Sequence, residues 1–169
     1  MFEYTRSTRI APVSQINSSL SQAIREFFQA HQVGDPETET VLCCETIARR
    51  DDPGKLVTWL DGNVDTSVHL AIVLTKDWLI WARIGDQTGL VVTGAKLQVI
   101  KVKAFVKRSS KEMELEITGF MAGTKEYVRG NLQLGPEPAA QKFCDAVVPA
   151  VLGATPPSKS KFPRWLGGG

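Results

Sequence analysis

The chain has 169 residues, 43% of them hydrophobic, a length and composition that predict one domain with a core needing no metal or disulfide staple. Its formal net charge of +2, from 20 basic and 18 acidic residues, is too small to indicate a nucleic acid partner. The sequence lacks an apolar run of the roughly 18 residues that a membrane helix requires and lacks a signal-peptide pattern, so we expect a cytoplasmic protein.

An amphipathic helix is predicted first, over residues 12–33. The apolar residues that recur there at helical spacing are Val13, Ile16, Leu20, Ala23, Ile24, Phe27 and Phe28. The turn residues Gly34, Asp35 and Pro36 then end the helix. We expect residues 1–36 to form an N-terminal arm, whose helix packs either on its own sheet or on a neighbouring subunit.

Short β-branched and aromatic runs, separated by turn residues, predict an antiparallel β region in the middle of the chain. The predicted strands span residues 41–48, 56–60, 68–75, 78–84, 89–92, 97–106, 113–118 and 127–134. Lys76 and Asp77 make a two-residue link that is typical of a hairpin. Met113, Leu115 and Ile117 alternate with glutamates, which predicts one buried face and one solvated face.

A second helix is predicted to begin at Pro138 and to end before Gly153. Its apolar face is formed by Ala140, Phe143, Cys144, Val147 and Val151, and Pro149 is expected to kink the helix or end it early. Residues 154–169 are rich in proline, glycine, lysine and serine without any period. We interpret them as a flexible basic and aromatic tail.

The segment over residues 68–83 carries a family resemblance. Its apolar strand, threonine turn and aromatic-apolar strand resemble those of GRAM-like and bacterial PH-like domains of the pleckstrin-homology superfamily, and residues 97–102 resemble the strand that follows. The resemblance implies a mainly β, α+β fold over residues 37–153: a strongly bent antiparallel sheet of seven or eight strands, the PH-like barrel, with a C-terminal capping helix. The chain departs from the family in its preceding amphipathic helix and in lacking the basic first hairpin of lipid-binding members.

No catalytic or metal-binding motif is recognisable in the sequence. His31 and His69 have no second ligand at metal spacing, and no serine elbow or phosphate-binding glycine loop occurs. Cys43 and Cys44 would point to opposite faces of a strand, and with Cys144 they are interpreted as small buried residues. We therefore predict a protein that is not an enzyme and uses no cofactor or metal.

Two basic segments are the candidate binding surfaces. The first is a predicted hairpin containing Lys101, Lys103, Lys107, Arg108 and Lys111. It would meet phosphates, although cross-strand pairing with the glutamates of the next strand is the favoured interpretation. The second is the tail, with Lys159, Lys161, Phe162, Arg164 and Trp165. The tail is interpreted as a disordered or folded-back end, with membrane or partner docking as the alternative.

The leading functional hypothesis is a non-catalytic interaction module that binds a protein partner or assembles with itself. One alternative is peripheral binding to anionic membrane through the hairpin and the tail. Another is an enzyme or small-molecule binder with a pocket between the sheet and the C-terminal helix, lined by residues such as Trp78, Trp81 and Phe143. A last one is conjugation through the glycines at 167–169. No nucleic acid partner is expected.

Overall fold

The computed structural model describes residues 3–51 and 64–154. Its strands are β1 (Tyr4–Ile10), β2 (Thr40–Arg50), β3 (Ser67–Thr75), β4 (Trp78–Gly85), β5 (Gly89–Lys96), β6 (Ile100–Val106), β7 (Met113–Phe120) and β8 (Tyr127–Gln133). Its helices are α1 (Ser18–Ala30), α2 (Pro36–Glu39) and α3 (Pro138–Ala154). The predicted strand over residues 56–60 and the tail over residues 155–169 lie outside the described residues.

The described strands form two antiparallel sheets, so the predicted single bent sheet is wrong, while the α+β, mainly β class is confirmed. Strands β1 to β5 make one sheet in chain order, and β6 to β8 make the other, with no closed barrel in the described part of the chain. The sheets separate at a 3-10 turn over Leu97–Val99, where the Leu97 amide donates to the carbonyl oxygen of Asp77 at 2.8 Å. The strand predicted over residues 97–106 therefore begins only at Ile100.

Helix α1 covers one face of the five-stranded sheet. Its buried side chains pack with Cys43, Ala71, Val73, Ile80 and Ala82 in one hydrophobic cluster. Gly94 permits this contact, because a Cβ there would lie 2.8 Å from the ring of Phe27. The helix is shorter than predicted because the Asn17 side chain caps it by accepting hydrogen bonds from the Ser19 and Leu20 amides. It packs on its own chain.

The three-stranded sheet and α3 cover the opposite face. Helix α3 contacts β1, β2, β6 and β7, and the five residues of its predicted apolar face are all buried. Residues 70–74 of β3 form a continuous buried run because the sheet is covered on both sides. The expectation that Pro149 ends α3 early is wrong, because the helix continues to Ala154. Pro149 lies on the exposed side, and the buried side chains of Val147 and Val151 anchor the helix before and after it.

Strand β1 is not predicted by the sequence analysis. It pairs with β2 from Tyr4 opposite Arg50 to Ile10 opposite Cys44, inside the segment expected to form an arm. Its inward-facing side chains include polar ones, so it lacks an alternating apolar signal. Thr8 is buried by hydrogen bonds instead, since its Oγ1 contacts Thr46 Oγ1 at 2.7 Å and accepts from the Gly135 amide at 2.7 Å.

Candidate functional site

The predicted basic hairpin is the connection between β6 and β7. Lys101 and Lys103 are exposed on β6, and Lys107, Arg108 and Lys111 lie in the turn, which the Lys111 amide closes by donating to the Lys107 carbonyl oxygen at 2.8 Å. Phe105 and Val106 stand beside them with 48% and 54% of their surface exposed. These two apolar residues were not predicted as part of the surface, although their position next to a basic turn is a visible signal in the sequence. We call the seven residues the basic hairpin.

Cross-strand pairing neutralises only part of the basic hairpin. Glu112 contacts Arg6 at 3.1 Å and Lys107 at 4.0 Å. Glu116 is opposite Lys103 in the register, yet its ion pair is with Arg129 at 2.6 Å. Within the described ranges Lys101, Lys103, Arg108 and Lys111 form no ion pair, so most of the hairpin charge faces solvent.

The tail residues Lys159, Lys161, Phe162, Arg164 and Trp165 lie outside the described residues, as do the terminal glycines. Their roles stay predictions.

The three aromatic residues suggested for a pocket beside the C-terminal helix do not come together. Trp78 packs with the cluster under α1, whereas Trp81 packs with the cluster on the opposite face, where Phe143 is fully buried. A hollow of about 390 Å³ does lie between the β3–β4 turn and the end of α3, but other residues line it, including Val41, Leu74 and Ala150.

A cleft runs between the five-stranded sheet and β8. It has a volume of about 290 Å³, a floor that includes Ala48, Val68 and Leu70, and residues 131–133 of β8 along one wall. Arg6 lines it on the β1 side and Arg83 on the β4 side. We call this site the β8 cleft; the sequence analysis missed it because residues from five strands meet there.

Arg6 is held at the β1 side of the β8 cleft by the carboxylate of Glu112. The Arg6 side chain is only 13% exposed, and among the described residues it donates one hydrogen bond, from Nη1 to Glu112 Oε2 at 3.1 Å. Its guanidinium carbon lies 5.5 Å from the centre of the Tyr4 ring, a cation–π distance. Since a guanidinium carries five N–H donors, Arg6 has donors that no residue in the described ranges uses.

Asp65 holds Arg83 at the other side. Its carboxylate accepts hydrogen bonds from Arg83 at 3.0 Å, from the Thr88 hydroxyl at 2.6 Å, and from the amides of Gln87 and Thr88 at 2.7 and 2.9 Å. Burial raises the pKa of this carboxyl, but these bonds outweigh burial and lower the pKa from 3.8 to about 2. Gly85 leaves the necessary room, because a Cβ there would lie 2.1 Å from the carboxylate.

The cysteines are buried, as predicted, with Cys43 and Cys44 in the clusters on opposite faces. Burial, with a smaller effect of Glu45, raises the pKa of Cys43 to about 12, and burial, with a smaller effect of Asp145, raises that of Cys144 to about 11. These thiols stay protonated at neutral pH.

Among residues 3–51 and 64–154, no three His, Cys, Asp or Glu side chains are grouped so that they could hold a metal ion. None of the helices described has both the length and the apolar character to cross a bilayer.

Comparison with known proteins finds no family model, curated protein or solved structure that matches this chain.

Proposed function

We propose that this chain is a non-catalytic interaction module that binds an acidic surface of a protein partner through the basic hairpin. The observation that carries the proposal is the half-exposure of Phe105 and Val106 beside four cations that have no ion pair among the described residues. Interfaces commonly combine an apolar or aromatic anchor with surrounding charges that set the choice of partner.

The overall arrangement supports a PH-like fold for this module. A five-stranded and a three-stranded antiparallel sheet are followed by a C-terminal helix that contacts strands of both sheets. This order of elements agrees with the family resemblance of residues 68–83, although β1 and α1 precede the region that resembles the family.

The geometry favours a protein partner over self-assembly or a lipid surface. Phe105 and Val106 are sequence neighbours in a strand, so their side chains point to opposite faces, and only Phe105 shares a face with Lys101 and Lys103. This face presents one ring between charges, which suits a small apolar anchor point on a protein better than a continuous apolar bilayer. Antiparallel pairing of β6 with a second copy would bring Lys101 and Lys103 of both copies close to one another, which like-charge repulsion opposes. An acidic surface satisfies the same lysines.

The test is affinity capture from a cell extract with the full chain and three variants. We expect Arg108→Glu and Phe105→Ser to lose a specific partner, and Lys142→Glu, an equal charge change on the exposed side of α3, to retain it. Capture should weaken as salt rises, because the contact is electrostatic. Retention of the same partner by both hairpin variants would overturn the proposal.

Peripheral binding to anionic membrane is the second candidate function. Arg108 and Lys111 favour it, because they are exposed at the hairpin turn without an ion pair in the described part of the chain. Each basic residue near anionic lipid contributes about 1 kcal/mol. Co-flotation with phosphatidylserine vesicles should then decrease with salt and with Arg108→Glu. If a chain ending at Gly153 no longer floats with the vesicles while Arg108→Glu still does, membrane binding belongs to the tail and not to the hairpin.

A further inference from the structure

We infer that the β8 cleft is a second docking site, which receives an extended peptide segment carrying an apolar residue between two acidic ones. The inference is independent of the basic hairpin, because the residues involved lie on β1 to β4 and β8. It follows from the free edge of β8, from the floor of the cleft and from the spacing of Arg6 and Arg83.

The wall of the cleft is an open strand edge. Strand β8 has β7 as its only neighbour in its sheet, as far as the described residues show. The Leu134 amide donates to the Met113 carbonyl oxygen of β7 at 2.8 Å. Because backbone groups alternate along an antiparallel strand, the N–H and C=O groups of Asn131 and Gln133 point away from β7, into the cleft. Such an edge pairs readily with another strand.

The floor fits an apolar side chain between two charges. The register places Ala48 beside Arg6 on one side and Val68 on the other, and it places Leu70 beside Arg83. Four strands and residues 131–133 line the same cleft. The inferred segment pairs with β8 and lies across the five-stranded sheet. The side chains of the segment that face the floor of the cleft would contact Arg6 first, then the apolar residues, and then Arg83.

The spacing defines the sequence of the segment. Strands lie about 4.8 Å apart, so β1 and β4 are separated by about 14 Å. The register sets Arg83 two residues further along the strands than Arg6, which makes the separation of the two backbone positions about 16 Å. Residues that face the same side of an extended peptide recur about every 6.7 Å, so the first and fifth residues are also separated by about 13 to 14 Å. The long, flexible side chains of arginine and glutamate cover the remaining difference of about 2 Å, so a carboxylate at each of these positions would reach one arginine. The matching pattern is acidic, any, apolar, any, acidic.

Charge complementarity selects this occupant. Within the described part of the chain Arg6 has donors without an acceptor, and Arg83 is 42% exposed although it bonds Asp65 and Thr88. A charge-assisted hydrogen bond to a guanidinium is about twice as strong as a neutral one, so each acidic residue adds specificity as well as affinity.

The probe is the peptide acetyl-Thr-Glu-Thr-Val-Thr-Glu-Thr-amide, added to the full chain labelled with ¹⁵N. We expect the amide signals of Asn131 and Gln133 to shift and their hydrogen exchange to slow as the peptide binds. A peptide of the same composition with adjacent glutamates should bind about tenfold more weakly, and so should Arg6→Gln with the original peptide, by the loss of one charged hydrogen bond.

Two further variants separate this site from its alternatives. Ala48→Phe fills the floor without removing an ion pair, and it should abolish binding while the protein stays folded by thermal melting. Lys142→Gln on the exposed side of α3, outside both the cleft and the basic hairpin, should leave peptide binding unchanged. The signals of Asn131 and Gln133 report on the cleft alone, so their failure to shift would not bear on the function proposed for the basic hairpin. Equal affinities for the two peptides, or unchanged affinity of Ala48→Phe for the original peptide, would overturn the inference. So would slow exchange of Asn131 and Gln133 without peptide, because the chain itself would then fill the cleft.

Discussion

The two ends of the five-stranded sheet are built differently. At one end Cys44, Ile72 and Leu79 lie under the three-stranded sheet and α3, and all three are fully buried. At the other end the same face carries Arg6 and Arg83, with an open cleft over its apolar floor. We call these the covered end and the cleft end.

The contrast shows how one sheet serves both stability and recognition. At the covered end the free energy of folding comes from apolar burial, which is worth about 25 cal/mol for each Å² removed from water. At the cleft end ion pairs and hydrogen bonds hold the side chains, and they leave polar groups near the surface. Substitutions at the covered end should therefore change the free energy of unfolding most. The effect of substitutions at the cleft end on that free energy should depend on pH.

The largest expected effect is at the covered end. Phe143 of α3 is 0% exposed, and Phe143→Ala should lower the free energy of unfolding by about 3 to 5 kcal/mol, because it removes a buried ring and leaves a cavity. Urea unfolding followed by circular dichroism measures the change. Phe105→Ala is the matched control, since this ring is 48% exposed, and its effect should be within about 0.5 kcal/mol. Equal losses in the two variants would contradict the comparison.

An intermediate effect is expected for Asp65→Asn at the cleft end. Hydrogen bonds lower the pKa of this buried carboxyl from 3.8 to about 2, so ionised Asp65 stabilises the fold by about 2 kcal/mol at pH 7. Because the pKa is lowered in the folded protein, this stabilisation is complete above the unfolded pKa near 3.8 and is lost as the pH falls through about 2.

Unfolding measured from pH 7 to pH 2 tests this dependence. The difference between wild type and Asp65→Asn should be constant down to about pH 5 and should shrink below pH 4. Asp77→Asn, in the exposed β3–β4 turn, is the control and should change the free energy of unfolding at pH 7 by no more than about 0.5 kcal/mol. If the difference in free energy of unfolding between wild type and Asp65→Asn is the same at pH 2 as at pH 7, the charge of Asp65 does not cause it.

The sequence predicts the covered end better than the cleft end, for a physical reason. Apolar periodicity identifies α3 and the alternation of Met113, Leu115 and Ile117 at the covered end, and α1 on the opposite face, since these residues are buried by the hydrophobic effect. The inward residues Arg6 and Thr8 are held by partners far along the chain, Glu112 and Gly135, and no local pattern records such pairing. Strand β1, the split into two sheets and the β8 cleft therefore appear only in the folded structure.

The smallest effect is expected for an ion pair that lies outside both ends. Arg129 bonds Glu116 at 2.6 Å on the outer face of the three-stranded sheet, but its side chain is 70% exposed, so water and salt screen the attraction. Arg129→Gln should change the free energy of unfolding by no more than about 0.5 kcal/mol at 0.15 M salt. Arg6→Gln should cost more, because it leaves Glu112, which is 8% exposed, without its nearest cation. If the two variants unfold at the same urea concentration, burial does not set the strength of these pairs, and the distinction between the cleft end and the outer face fails.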